Sequence, residues 1–140
     1  MDAWQKRAIS VIGLGYVGLT TALGFGLKGH RVIGVDTDDE KVEKINRGLS
    51  PIYEEGLGEA LGKVEFTATC DCREILDSDI TFLCVNTPSN SDGSTNLNYL
   101  KRAVEQVADT LRGKSDYHLV VMRSAVAPGR NAGAAKTLRS

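Results

Sequence analysis

The chain has little net charge, few cysteines and no long apolar segment at its start. Over 140 residues, 17 basic and 18 acidic side chains give a net charge of −1, so a nucleic acid is not an expected partner. The opening segment MDAWQKRAISV lacks the apolar run of a signal peptide or a membrane span, so no membrane partner is expected. Three cysteines without C-x-x-C spacing indicate reduced thiols in a cytoplasmic protein and no metal site.

Short β-branched runs alternate with helical patterns along the chain. The pattern predicts strands at 8–12, 31–35, 64–69, 80–85 and 117–122. It predicts helices at 16–28, 38–47, 54–61, 72–77 and 97–112, and an Ala-rich tail after Pro128. This alternation is typical of one α/β domain, a doubly wound parallel sheet with helices on both faces.

Two of the predicted helices have the clearest signals. In 97–112, apolar residues recur with helical spacing and Gly113 follows as a stop; they are Leu100, Ala103, Val104, Val107, Ala108 and Leu111. The helix at 38–47 is preceded by Thr37, and Glu40 three residues later completes a capping box. Thr37 is therefore the predicted start signal of that helix.

Three glycines follow the first predicted strand, two of them before the first predicted helix and the third in its first turn. Gly13, Gly15 and Gly18 have the G-x-G-x-x-G spacing of Rossmann-type dinucleotide sites. There the first glycine permits a tight turn, the second lets the backbone approach a pyrophosphate, and the third lets helix and strand pack closely. A glycine-rich turn can also be purely structural. Its place in a strand–helix–strand unit that ends at Asp36 favours cofactor binding.

Asp36 follows the second predicted strand and suits the ribose of a dinucleotide. Its carboxylate can accept hydrogen bonds from both ribose hydroxyls and would repel a 2′-phosphate, so NAD is predicted rather than NADP. The alternative is a helix-capping aspartate, a role for which Thr37 and Asp38 are better placed. Lys41 either points at the same ribose or pyrophosphate or is a solvated lysine.

Two loops follow strands on the same expected edge of the sheet. Pro88 holds Thr87 in an extended conformation, which leaves the Thr87 hydroxyl free to bond a ligand. The polar loop 86–96 is long for a compact domain, and such loops are usually functional or mobile. After the fifth strand, the segment RSAVAPGR places Ser124 at a similar depth.

At these residues the chain resembles the NAD-binding domain of the UDP-glucose/GDP-mannose dehydrogenase family. The resemblance runs from Ile9 to about Gly129 and rests on an ordered series of motifs. They are GLGYVGL at 13–19, H-x-V-x-G-V-D at 30–36, S-P-I-x-E-x-G-L at 50–57, D-x-x-F-x-C-V-x-T-P at 79–88, D-G-S-x-x-L-x-Y at 92–99 and R-S-x-V-x-P-G at 123–129.

The resemblance implies an NAD-dependent oxidation of a nucleotide sugar. Family members oxidise C6 of a nucleotide-linked hexose from alcohol to acid, with two hydrides passing to two NAD⁺ and a cysteine nucleophile forming a thioester. By similarity, the cofactor contacts fall on Tyr16, Val17, Asp36, Lys41 and Thr87. The resemblance also implies a nucleotide-sugar substrate, shared with domains beyond this chain, and allows a homo-oligomer.

No catalytic residue is assigned within the chain. In the family, the nucleophile, its lysine and its asparagine lie in later domains, so residues 1–140 are expected to be an NAD-binding domain that is inactive alone. The three cysteines do not match the nucleophile's motif; they are Cys70, Cys72 and Cys84. Two positions also depart from the family pattern, because Ala125 and Arg130 stand where the family has threonine.

Two other functions stay open at the level of the sequence. The first is a free-standing module that senses NAD or a nucleotide without catalysis, in which Ala125 reflects lost chemistry. The second is the cofactor domain of a dehydrogenase for another small substrate, with its catalytic groups further along the chain. The residues that follow position 140 in the gene would separate these functions from the nucleotide-sugar dehydrogenase.

Overall fold

The computed structural model describes residues 6–52, 55–94 and 96–123, and within them five parallel strands form one sheet. The strands are β1 (Ala8–Ile12), β2 (Arg31–Val35), β3 (Phe66–Thr69), β4 (Ile80–Leu83) and β5 (Leu119–Met122), in the spatial order β3-β2-β1-β4-β5. The central strands consist largely of β-branched residues, as expected for strands covered on both sides; Val11 and Val32 are at most 1% exposed.

Helices cover both faces of this sheet, as the sequence predicts. They are α1 (Tyr16–Leu27), α2 (Asp39–Asn46), α3 (Leu57–Leu61), a 3-10 helix (Cys72–Asp77) and α4 (Asn98–Leu111). Val11 packs in one apolar cluster with α1, α2 and α3, whereas its neighbour Ile12 packs in a second cluster with the 3-10 helix and α4. Because successive strand residues point to opposite faces, the two clusters lie on opposite sides of the sheet. The Rossmann-type fold class is confirmed.

Several strands are shorter than predicted, because their length depends on their neighbours. β1 ends at Ile12, and the last pair of its ladder with β4 is Ile12 with Leu83, so β4 does not extend to residue 85. The pairing of β5 starts at Leu119 opposite Ile80, and Tyr117, predicted to be in the strand, is 83% exposed. The tail after Pro128 lies outside the described residues.

The predicted cap of α2 is wrong by one residue. The helix begins at Asp39, and the side chain of Asp38, not Thr37, accepts hydrogen bonds from the backbone N–H groups of Glu40 and Lys41. Both residue types cap helices well, and the deciding factor is which of them directly precedes the first helical residue. The carboxylate of Asp38 therefore binds N–H groups of its own helix, whereas the carboxylate of Asp36 does not cap α2.

Candidate functional site

The glycine turn after β1 lies tightly against the end of β4. Gly13 has φ +91°, and a Cβ at this position would be 2.7 Å from the carbonyl oxygen of Cys84. A Cβ on Gly18 would be only 1.7 Å from the carbonyl oxygen of Gly13. Contacts this short exclude a side chain, so the fold itself requires the first and third glycines.

Gly15 differs from both, because nothing in the fold requires it to be glycine. Its φ of −73° is open to any residue. An added Cβ would meet only the side-chain oxygen of Asn86, at 3.8 Å. Gly15 lines a cleft, so its missing side chain keeps open a space that protein atoms do not fill.

Gly15 is also the N-cap of α1, and this helix start has no side-chain cap and no acidic residue in its first turn. The first N–H groups of any helix have no partner within the helix, and the helix dipole makes this end positive. By contrast, Asp38 caps α2 with its own carboxylate. The start of α1 is therefore suited to an external anion, such as a pyrophosphate, held above Gly15.

The carboxylate of Asp36 is fixed in position at the end of β2. One of its oxygens, Oδ2, accepts from the backbone N–H of Leu14 at 2.8 Å and from Lys41 Nζ at 3.3 Å, and Oδ1 accepts from the N–H of Asp38 at 3.0 Å. A carboxylate offers about four lone-pair sites, so three bonds leave room for a ligand hydroxyl. The contact with Lys41 Nζ is the longest of the three hydrogen bonds, so it is the one that a ligand hydroxyl would replace most readily.

A cleft of about 840 Å³ joins these features at the carboxyl ends of β1, β2 and β4. This volume lies within the range of small-molecule and cofactor sites. The predicted site residues that line it are Gly13, Gly15, Asp36, Lys41 and Thr87.

Three other predicted site residues do not line the cleft. Tyr16 and Val17 lie in the first turn of α1 and are 53% and 45% exposed, whereas Gly18 is buried under the turn. Ser124 lies outside the described residues, as do Ala125 and Arg130.

The wall of the cleft formed by α4 was missed by sequence reasoning. Tyr99, Arg102 and Gln106 line it, as do Cys70 and Cys72 after β3. The three α4 residues follow one another at helical spacing along the border of the buried face of this helix. The apolar periodicity predicts the buried face of α4, but it does not indicate which polar residues at the border of that face line a cleft.

The thiols at the cleft are poor nucleophiles. A hydrogen bond to the Asp39 carboxylate raises the pKa of the Cys70 thiol to about 11, with desolvation adding to the effect. Burial likewise raises the pKa values of Cys72 and Cys84. Because the thiolate is the reactive form, the raised pKa values lower the fraction of each thiol that can act as a nucleophile at neutral pH.

Neither a metal cluster nor a membrane-spanning helix is found in the part of the chain that the structure describes. Among those residues, no group of three or more histidine, cysteine, aspartate or glutamate side chains is arranged to hold a metal ion. In the same ranges, no helix combines the length and the apolar character that crossing a bilayer requires.

Comparison with known proteins identifies the domain. Residues 7–140 match the profile of the UDP-glucose/GDP-mannose dehydrogenase family, NAD binding domain. A UDP-glucose 6-dehydrogenase of Haloferax volcanii is 46% identical over 123 residues, which are 86% of this chain and 29% of that protein.

Solved structures agree with this match. A UDP-glucose dehydrogenase from Pyrobaculum islandicum superposes with a TM-score of 0.93 at 38% identity, over 99% of this chain and 34% of that one. For a GDP-mannose dehydrogenase from Pseudomonas aeruginosa the TM-score is 0.89 at 40% identity, over 93% and 31% of the two chains. The chain thus spans about a third of the length of these relatives. It belongs to the UDP-glucose/GDP-mannose dehydrogenase family, and what it contains is the family's NAD-binding domain.

Proposed function

We propose that the cleft holds NAD for a nucleotide-sugar dehydrogenase, with substrates of the UDP-glucose or GDP-mannose type. The relatives named above are dehydrogenases of these two sugar nucleotides. The single observation that supports cofactor binding here is Gly15, where a missing side chain leaves open space beside an uncapped helix start. The proposed role of the chain is to bind and orient the cofactor.

Three parts of the cleft would divide the work of holding NAD. The backbone at Gly15 and the first turn of α1 would receive the pyrophosphate. Asp36, fixed by Leu14 and Asp38, would accept from the adenosine ribose hydroxyls, with Lys41 beside it. Thr87 lines the cleft after β4, where its hydroxyl can bond the ligand. When bound, NAD⁺ supplies the acceptor for the hydride that leaves the sugar alcohol.

The chain alone is proposed to be inactive. Capturing the aldehyde intermediate needs a reactive thiolate, and all three thiols of the chain have raised pKa values. By resemblance, the family's nucleophile belongs to later domains. A cofactor domain also encloses only part of a ligand that binds between domains, so a sugar nucleotide alone would bind weakly.

Two measurements on the purified chain test this proposal. Calorimetric titration with NAD⁺ should give saturable binding. Absorbance at the NADH band should stay flat when UDP-glucose or GDP-mannose is added with NAD⁺. A chain that does not bind NAD⁺ would refute the cofactor site, and steady NADH formation would refute the proposed division of catalysis between domains.

A further inference from the structure

The two side walls of the cleft differ in how their polar groups are used. On the side of β2 and α2, Asp36 and Lys41 are paired with each other, and Asp38 caps its helix. On the side of α4, the side chains of Arg102 and Gln106 form no hydrogen bond or ion pair with any residue in the described ranges. Among the described residues, the guanidinium and the carboxamide of the α4 wall thus have no side-chain partner at the edge of the cleft.

The floor between these walls is apolar. Ile12 and Val35, at the ends of β1 and β2, line the cleft together with Ala103 of α4. Each is 6% or 7% exposed, so together they present a small hydrophobic surface at the base of the cleft. A flat ring that lies on such a surface would bury one face there and leave its other face and its edge to the side chains of α4.

We propose that Arg102 and Gln106 recognise the adenine base of the dinucleotide. This inference rests on the proposed function, because the ribose at Asp36 sets where the base must lie. The base stacks against the planar guanidinium of Arg102, and its polar edge meets the carboxamide of Gln106. Guanidinium planes stack on nucleobases, and glutamine pairs well with the amino group and ring nitrogen of adenine.

The same guanidinium could instead contact a phosphate, so the test must separate charge from stacking. Adenosine provides that separation, since it carries the base and ribose and no phosphate. Arg102→Lys provides a second, because lysine keeps the charge and loses the plane. Lys101→Ala is the matched control: Lys101 is the preceding residue of α4, exposed and outside the cleft lining.

The experiment titrates the 140-residue chain with NAD⁺ by calorimetry and with adenosine by NMR chemical shifts, and checks each variant's fold by circular dichroism. Arg102→Ala should weaken both ligands by the same factor, about 3- to 10-fold, as expected for loss of a cation–π contact. Arg102→Lys should recover less than half of that loss in free energy. Gln106→Ala should weaken both ligands about 2- to 10-fold, the effect of one hydrogen bond.

Different outcomes would overturn the two proposals. If the unaltered chain binds NAD⁺ and Arg102→Ala changes affinity no more than Lys101→Ala, the base-recognition proposal is wrong and the cofactor site stands. Base recognition also fails if Arg102→Ala weakens NAD⁺ but not adenosine, because the guanidinium then contacts a phosphate. If the unaltered chain binds neither ligand, the proposed function fails first.

Discussion

The carboxylate of Asp36 accepts a hydrogen bond from the backbone N–H of Leu14 at 2.8 Å, which ties the end of β2 to the glycine turn after β1. Leu14 lies between Gly13 and Gly15, and its own side chain is fully buried. The residue assigned to the ribose therefore also holds the turn assigned to the pyrophosphate. A substitution at Asp36 must preserve this bond if it is to report on ligand binding alone.

Asp36→Asn keeps the Leu14 bond, gives up the one from the Asp38 N–H, and should reduce the preference for NAD over NADP. The amide oxygen can still accept from Leu14, but the negative charge that opposes a 2′-phosphate is lost. At about 5 Å and an effective dielectric constant of about 20, that repulsion is about 3 kcal/mol per unit charge. Solvent and Lys41 reduce it, so we expect the unaltered chain to favour NAD at least about fivefold.

The NAD preference of both chains is measured by calorimetric titration with NAD⁺ and NADP⁺. In Asp36→Asn the ratio of the two affinities should approach one, because Lys41 is released from its ion pair and becomes available to the phosphate. Asp39→Asn is a control on the same acidic segment, since Asp39 does not line the cleft. An unchanged ratio in Asp36→Asn would remove this carboxylate from the ribose site.

Gly15→Val should abolish NAD binding and leave the fold intact. The backbone at Gly15 accepts any residue, and a Cβ added there would meet only the Asn86 side chain, at 3.8 Å. The valine side chain would therefore occupy the cleft and not the core. Gly24→Ala is the matched control, because Gly24 lies in α1 with no atom within 4 Å of an added Cβ.

Circular dichroism and an NAD⁺ titration are sufficient for these two variants. Gly24→Ala should bind as the unaltered chain does, and it should be more stable by up to about 1 kcal/mol, since alanine favours the helix. Retained NAD⁺ binding in Gly15→Val would mean that the turn has only a structural role.

The sequence predicts the architecture well because the elements that define it have local signals. β1 and β2 match their predicted bounds, and each is closed by a residue with a clear local role, Gly13 or Asp36. The lengths of β4 and β5 are set by pairing with neighbours, which no local pattern encodes. For the same reason, the sequence identified the part of the cleft formed by the glycine turn and Asp36. It missed Arg102 and Gln106, which reach the cleft only through the packing of α4.

Asn46 protects the edge of the sheet, and its loss should destabilise the fold. Its side-chain amide donates to the carbonyl oxygen of Ala68 and accepts from the Ala68 N–H, both at 2.8 Å. Ala68 lies in the edge strand β3, so Asn46 takes the place of a neighbouring strand. Asn46→Ala leaves both backbone groups without this partner, at a cost of about 1–2 kcal/mol.

Urea denaturation measures this loss. Asn46→Asp should also destabilise, because a carboxylate can accept from the Ala68 N–H but cannot donate to its carbonyl oxygen. Lys44→Ala, an exposed change in the same helix, should stay within about 0.5 kcal/mol of the unaltered chain. Equal stability of Asn46→Ala and Lys44→Ala would show that the amide contributes nothing to the sheet edge.

His118 should make stability depend on pH below neutrality. Its Nδ1 lies 3.0 Å from Lys114 Nζ, and its Nε2 lies 2.7 Å from Thr81 Oγ1 in β4. An ammonium can only donate, so Nδ1 accepts, and Nε2 carries the proton and donates to Thr81. Burial, followed by the charge of Lys114, lowers the pKa of His118 below its usual value. The folded state therefore favours the neutral ring.

The direction of the pH dependence follows from this lowered pKa. The unfolded chain takes up a proton at His118 near pH 6.5, before the folded state does, so the stabilisation is complete above that pH. It is lost as pH falls through the lowered pKa of the folded state. Urea unfolding at pH 7.5 and 5.5 should thus show a larger fall in stability for the unaltered chain than for His118→Gln, which cannot titrate. An identical fall in both chains would mean that the Lys114–His118–Thr81 arrangement does not favour the neutral ring.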